Sequence, residues 1–238
     1  MDSHDLADNA GSMVDSAYRQ LRKQILSNEL PPGSETLEAD LGRALGMSRT
    51  PVREAIVRLE YEGLVEVVPR RGIRVVPITL RDIREINEVL GWLEVLAAEK
   101  VAARHLTAAQ IAELDSTVEG MDKALADGDM RAWAKADFQF HSLLIELSGN
   151  LHLQRTAQLY LDKAHRARLI TMPLRQKPVY SNTNHAAVVE AIRRNDPESA
   201  REIHAAHKKR WSQELDMIVE RNPDVFESPS QIGVDVHV

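Results

Sequence analysis

Sequence suited to strands is confined to one stretch, Leu64 to Pro77 (LVEVVPRRGIRVVP), which leaves a mainly helical fold for the rest. Two short apolar runs flank a Pro69-Arg70-Arg71-Gly72 turn, the pattern of a β-hairpin. Aromatic residues make up only 4% of the chain, so few other segments compete for strand positions. Elsewhere apolar residues recur at three- and four-residue spacing, the helical period. Ahead of the hairpin this predicts helices over Val14 to Asn28, Leu37 to Leu45 and Ser48 to Glu62, divided by Pro31-Pro32-Gly33 and by Gly46. Past it, Thr79-x-x-Asp82 has the form of a capping box and opens the stripe Ile83, Ile86, Leu90, Leu93, Ala97 and Val101. Further helices are expected from the box Thr107-x-x-Gln110, over about Asp129 to Ser148, and from Leu151 to about Thr171. Two more follow, over about Thr183 to Asn195 and from Asp196-Pro197 to about Arg221.

Composition narrows the chemistry. With 43% of its 238 residues hydrophobic the chain can build a packed core. It has no cysteine, which excludes disulfides, thiolate catalysis and thiolate zinc sites; a metal would have to be held by His and carboxylates. The polar, acidic amino terminus is neither a secretory nor a transit signal. Glu94 and Glu99 interrupt the most apolar stretch, Val89 to Ala103, so no membrane span is expected and a cytoplasmic location is. The net charge of −6 does not by itself suggest a nucleic-acid partner.

The local pattern does. Helix, helix, Gly-containing turn, helix and hairpin is the order of a winged helix-turn-helix, here over residues 14–77. Gly46 can take positive φ in the turn, Ser48 can cap the next helix, and Pro51 is tolerated in its first turn. Ser48, Arg49, Thr50 and Arg53 are then presented where a recognition helix reads base edges, while Val52, Ile56 and Leu59 face inward. Arg70, Arg71 and Arg74 on the wing suit phosphates or the minor groove. The plainer alternative is a solvated basic face, since residues 14–77 carry almost as many acids as bases.

Residues 79–221 are predicted to form an all-α antiparallel bundle of about six helices, with 1–13 and 222–238 as flexible tails. Three of its helices turn ionisable groups onto apolar stripes: Asp137 and His141 at i, i+4 on one, His185 on another and His207 on the last, with His204 beside it. A buried carboxylate or imidazole is costly unless partnered. A shared divalent ion such as zinc, nickel or manganese would partner them. Hydrogen-bonded core histidines and a simple Asp137–His141 ion pair remain alternatives. His4, His105, His152, His165 and His237 show no such convergence and read as surface groups.

The stretch PPGSETLEADLGRALGMSRTPVREAIVRLEYEGLVEVVPRRGIRVVPIT, with SRTPVREA, RLE-x-EGLV and the PRRG wing, closely resembles the amino-terminal domain of GntR family transcription regulators. The resemblance implies that Arg49, Thr50 and Arg53 contact DNA and that Gly72 lies on the wing tip inserted into the groove. Thr36-Leu37 departs from the family's usual Leu and polar pair. Residues from about Thr79 to Arg221 resemble the FCD effector domain of the family's FadR branch, in its shorter, VanR-like, metal-binding form. The matching features are Asp-x-x-x-His followed by SGN, then NHAAVVEAIRRND, then the segment ending at His207. That resemblance implies Asp137, His141, His185 and His207 as metal ligands; His204 matches no ligand position. Many FCD domains carry Arg-x-x-Leu-Glu in their first helix, but here Leu90 replaces the Arg. A carboxylate effector, an organic or sugar acid, would then need the metal or Arg168, with Asn182 available to hydrogen-bond it. The expected molecule is a homodimeric regulator, a repressor in the simplest case, on a palindromic operator, and not an enzyme. Its rivals are a constitutive DNA-binding protein with a structural metal and, behind it, a metallohydrolase.

Overall fold

A computed structural model describes residues 3–222, with side chains from Met13 onward. The chain divides into two compact units whose boundary falls between Thr79 and Leu80.

The first unit holds α1 (Ser3–Leu26), β1 (Glu35–Thr36), α2 (Glu38–Leu45), α3 (Arg49–Tyr61), β2 (Val65–Val68) and β3 (Gly72–Val75). Its core joins Ala17, Leu21 and Ile25 of α1 to Val52, Ile56 and Leu59 of α3 and to Val65, Ile73 and Val75 of the hairpin. α2 ends in a left-handed Gly46 at φ 64°, as the turn requires. Ser48 occupies the N-cap position of α3 in extended conformation, but its side chain makes no capping bond. The hairpin has the expected antiparallel register, with Glu66 opposite Arg74 and Val67 opposite Ile73. A third strand completes the sheet in the order β1-β3-β2, Thr36 pairing with Ile73. Two residues carry no period, so β1 gave no strand signal. Residues 3–13 are not a loose tail: α1 runs through them, and Gly11, a weak breaker, does not end it. Of the other expected tail, Asn222 is the C-cap of the last helix and 223–238 lie outside the described residues.

The second unit is six α-helices, α4 (Leu80–Ala102), α5 (Ala108–Asp127), α6 (Met130–Leu147), α7 (Leu151–Thr171), α8 (Val179–Arg193) and α9 (Pro197–Arg221), with a short 3₁₀ turn at Met172–Leu174. Their starts are written locally. Thr107 and Gln110 form the full capping box, while Asp129, Asn150 and Asp196 cap α6, α7 and α9 through their side chains. α8 begins at Val179, four residues ahead of the expected Thr183, so the loop before it is shorter and Asn182 lies within the helix. The core packs Leu114, Met121, Trp133, Phe140, Leu144, Leu153, Val188 and Ile192 around the inward faces. α5 lies along α6, and α4 packs against α6, α8 and α9 while α8 packs against α9, which gathers α6, α8 and α9 around α4. Among the described residues no helix is long and apolar enough to cross a membrane.

Candidate functional site

On α6 the inward stripe places Trp133, Asp137, Phe140, His141 and Leu144 in the interior; Asp137 is 2% exposed and His141 1%. His185 of α8 is fully buried, as is His204 of α9, and His207 is 7% exposed. His141, His185 and His207 each offer one ring nitrogen within 4.8 Å of the others, so three helices deliver three imidazoles to one point. Asp137 stands at the edge of this group: its Oδ2 is 3.7 Å from His141 Nε2, and its Oδ1 is 3.8 Å from His185 Nε2. The carboxylate leans toward Arg168, whose Nη2 is 2.8 Å from Oδ2. Burial pushes the imidazoles of His185 and His207 well below their usual range; Asp137 pulls His185 partway back. Burial alone would raise Asp137, but Arg168 first, then His141 and His185, hold it well below the ordinary carboxylate range.

The donor set fits a divalent cation. Neutral imidazoles with one ionised carboxylate are the forms that ligate. Neither nitrogen of His141 or of His185 has a hydrogen-bond partner. Buried polar atoms are rarely left unpartnered, and an ion shared between the rings would take one nitrogen from each of them, a need that core histidines already satisfied by hydrogen bonds would not have.

Three further groups, none of them marked as a ligand by the sequence, stand around this point. Glu94 of α4, 1% exposed, reaches His141, His204 and Lys208. It had interrupted an apolar stretch, yet it falls on the α4 stripe between Leu90 and Ala97 and was readable as inward. His204 belongs to a second group, with Glu94 and His141. Arg175, in the segment before α8, has a side chain only 4% exposed; it pairs with Glu214 at 3.2 Å and lies 4.0 Å over the ring of Trp211. Burial lowers its pKa against the pull of Glu214, and it lies close enough to feel the charges of Arg168 and Asp137.

Of the two expected effector contacts, Arg168 turns inward to Asp137 rather than standing on the surface. Asn182 is held at both ends: its Oδ1 accepts from Trp133 Nε1 at 2.8 Å, and its Nδ2 donates to Asp122 Oδ1 at 2.7 Å. His165 is not a surface group. It packs on Phe138 with ring centroids 4.8 Å apart, and burial followed by Arg168 lowers its pKa to about 4. His105 and His152 are exposed; the side chains of His4 and His237 lie outside those described.

In the first unit Ser48, Arg49, Thr50 and Arg53 are all exposed on the opening turns of α3. Arg43 pairs with Asp40, Arg58 with Asp15 at 2.6 Å, Arg71 with Glu35 at 3.7 Å and Arg74 with Glu66. Among the described residues Arg49, Arg53 and Arg70 enter no ion pair, which leaves guanidiniums on the reading turn and the wing turn for an outside anion. Arg70 holds φ 66° at that turn. Gly72 does not lie at the tip. It opens β3 at φ 91°, and a Cβ there would meet Thr36 O at 2.3 Å, which makes it the contact point of wing and β1.

Residues 13–75 match the model of the bacterial regulatory proteins of the gntR family, and residues 85–210 match that of the FCD domain. An HTH-type transcriptional regulator in the TAR-I ttuE-ttuC' intergenic region of Agrobacterium vitis is 41% identical over 139 residues, covering 58% of this chain and 81% of that protein. An HTH-type transcriptional regulator in an unstable DNA locus of Streptomyces ambofaciens is 30% identical over 214 residues, covering 88% of this chain and 87% of its own. The solved structure of E. coli McbR/YncC shares the fold at a TM-score of 0.73 and 24% identity, over 88% of this chain and 98% of that one. A helix-turn-helix that leaves its reading turn unpaired, followed by a six-helix bundle matched along most of its length, places this chain in the GntR family as a DNA-binding transcriptional regulator with a FadR-type FCD domain, not an enzyme.

Proposed function

We propose that the protein reads a palindromic operator as a homodimer and changes its grip on that DNA when a small organic or sugar acid enters the bundle. The convergence of His141, His185 and His207 on one point carries the sensing half of this reading. These three imidazoles, with Asp137, would hold zinc, nickel or manganese. Such an ion supplies positive charge and open coordination positions for a carboxylate. Arg168 stands beside Asp137 and can turn to an incoming acid, taking the place of the cation that Leu90 lacks. Asn182, held by Trp133 and Asp122, shapes the wall rather than swinging to a ligand. Arg49, Thr50 and Arg53 read bases, with Ser48, Arg70 and Arg71 on the backbone. A dimer sets two such heads on the two half-sites of the operator.

The acid acts by binding one arrangement of the protein more tightly than another. The test is metal analysis and mass spectrometry of gently purified protein, followed by operator titrations with candidate acids. One ion per chain and an acid-dependent operator affinity are expected. A loaded protein whose operator affinity no acid changes would instead be a constitutive binder with a structural ion.

A further inference from the structure

Both ring nitrogens of His141 face a carboxylate. Asp137, one turn earlier on α6, lies 3.7 Å from Nε2, and Glu94, arriving from α4, lies 3.2 Å from Nδ1. The Glu94 contact has the distance of a hydrogen bond without its alignment, so as it stands it is a charge beside a ring nitrogen. The other oxygen of Glu94 lies 3.6 Å from His204 Nε2 and directly against the ammonium of Lys208. A neutral imidazole has one proton for two nitrogens, and a carboxylate beside Nδ1 draws it there. The Nε2 lone pair then faces Asp137 and His185. Glu94, His141 and His204 also have the donor set of a second cation site. In this fold that position already has its cation: Lys208 of α9, its side chain 14% exposed, neutralises a carboxylate that would otherwise be buried unpaired.

We propose that Glu94 is a positioning residue for the metal centre, accepting the Nδ1 proton of His141 so that Nε2 is the ligating atom, and that Lys208 rather than a second ion neutralises it. This rests on the reading of the centre given above. Glu94 then sets both the orientation of His141 and the donor strength of its Nε2, as an outer carboxylate does for a ligating histidine. The chain takes up one ion, although six buried ionisable groups lie close enough to suggest two.

The experiment uses the full chain, stripped with chelator and reloaded with zinc or cobalt(II), as wild type, Glu94→Gln and the charge-balanced double variant Glu94→Gln/Lys208→Met. Wild type should bind one ion. Both variants should bind it about 10- to 100-fold more weakly, with shifted cobalt(II) visible bands. The double variant guards against a folding failure caused by an unpaired Lys208, and its far-UV circular dichroism should match wild type. Long-range ¹H–¹⁵N correlation spectra of the stripped chain should show His141 protonated at Nδ1 in wild type and not in Glu94→Gln. Two ions in wild type, an Nε2–H tautomer, or wild-type affinity in both variants would overturn the inference while leaving the centre standing. A wild-type chain that takes up no ion would overturn both.

Discussion

A Cβ added at Gly72 would stand 2.3 Å from the carbonyl oxygen of Thr36 and 2.7 Å from Cα of Leu37, both backbone atoms with little room to give. The residue also sits at φ 91°, outside the range L side chains adopt easily. Gly72→Ala should therefore destabilise the first unit by on the order of 2–4 kcal/mol, read by chemical denaturation. A variant that unfolds like wild type but binds operator poorly would return Gly72 to a role at the DNA. Arg49 stands free of any ion pair on the first turn of α3. Arg49→Ala should cost about 1–3 kcal/mol at one base position and relax preference there, measured on a panel of operator variants. Equal weakening on all sequences would make Arg49 a phosphate contact. Arg71→Ala should matter less, because Arg71 is already shared with Glu35. At this scale the sequence was informative where chemistry broke a period. Asp137, His141, His185 and His207 stood out as ionisable groups on apolar stripes. Glu94 broke its stripe equally, but its meaning lay in contacts with His141 and His204, which no spacing along one helix encodes. Arg175 was less legible still, because it sits between helices and only packing against Trp211 shows it is inside.

Helix starts were the most readable elements, since a cap is chemistry within four residues. Thr107 accepts from Gln110 N while the Gln110 side chain accepts from Thr107 N at 3.0 Å, satisfying two end groups of α5 reciprocally. Thr107→Ala should cost the bundle about 1 kcal/mol, seen as a lowered Tm with unchanged metal content. No loss would mean that packing alone holds the start of α5. The elements that escaped were those without such a local mark. β1 exists because β3 offers an edge to Thr36, a tertiary cause. α8 begins before Thr183 because its first turn is closed by the Ser181 and Asn182 amides donating to Pro178 O, so no side-chain cap announces it. The bundle count of six was legible because each helix carries a full apolar stripe, the signal that survives misplaced ends.

For the chain as a whole, the buried imidazoles tie stability to pH and to the ion together. In stripped protein His185, His204 and His207 have pKa values depressed by burial, His204 to about 4, as does His165. Each binds a proton more readily unfolded than folded. As pH falls below the unfolded value of about 6.5, each favours unfolding by up to about 1.4 kcal/mol per pH unit, until its folded pKa is reached. Glu94 and Asp137 are depressed carboxylates whose contribution is present above the unfolded value of about 4 and is lost as pH falls through their folded values. The stripped bundle should thus be steady above pH about 7, weaken between about 6.5 and 4 through histidine, and weaken further below that through the carboxylates. An ion that binds only the folded chain adds stability by mass action, but it needs deprotonated ligands. The difference in Tm between loaded and stripped protein should therefore hold from pH 8 to about 5, where burial keeps His185 and His207 deprotonated in the folded chain, and fade only as pH falls further toward their depressed values, and any ion-dependent part of operator affinity should fade with it. A Tm difference that is already lost between pH 8 and pH 6, the range of ordinary exposed histidines, would show that the ion is held by groups other than these buried imidazoles, and the bundle would then need another account of how it senses an acid.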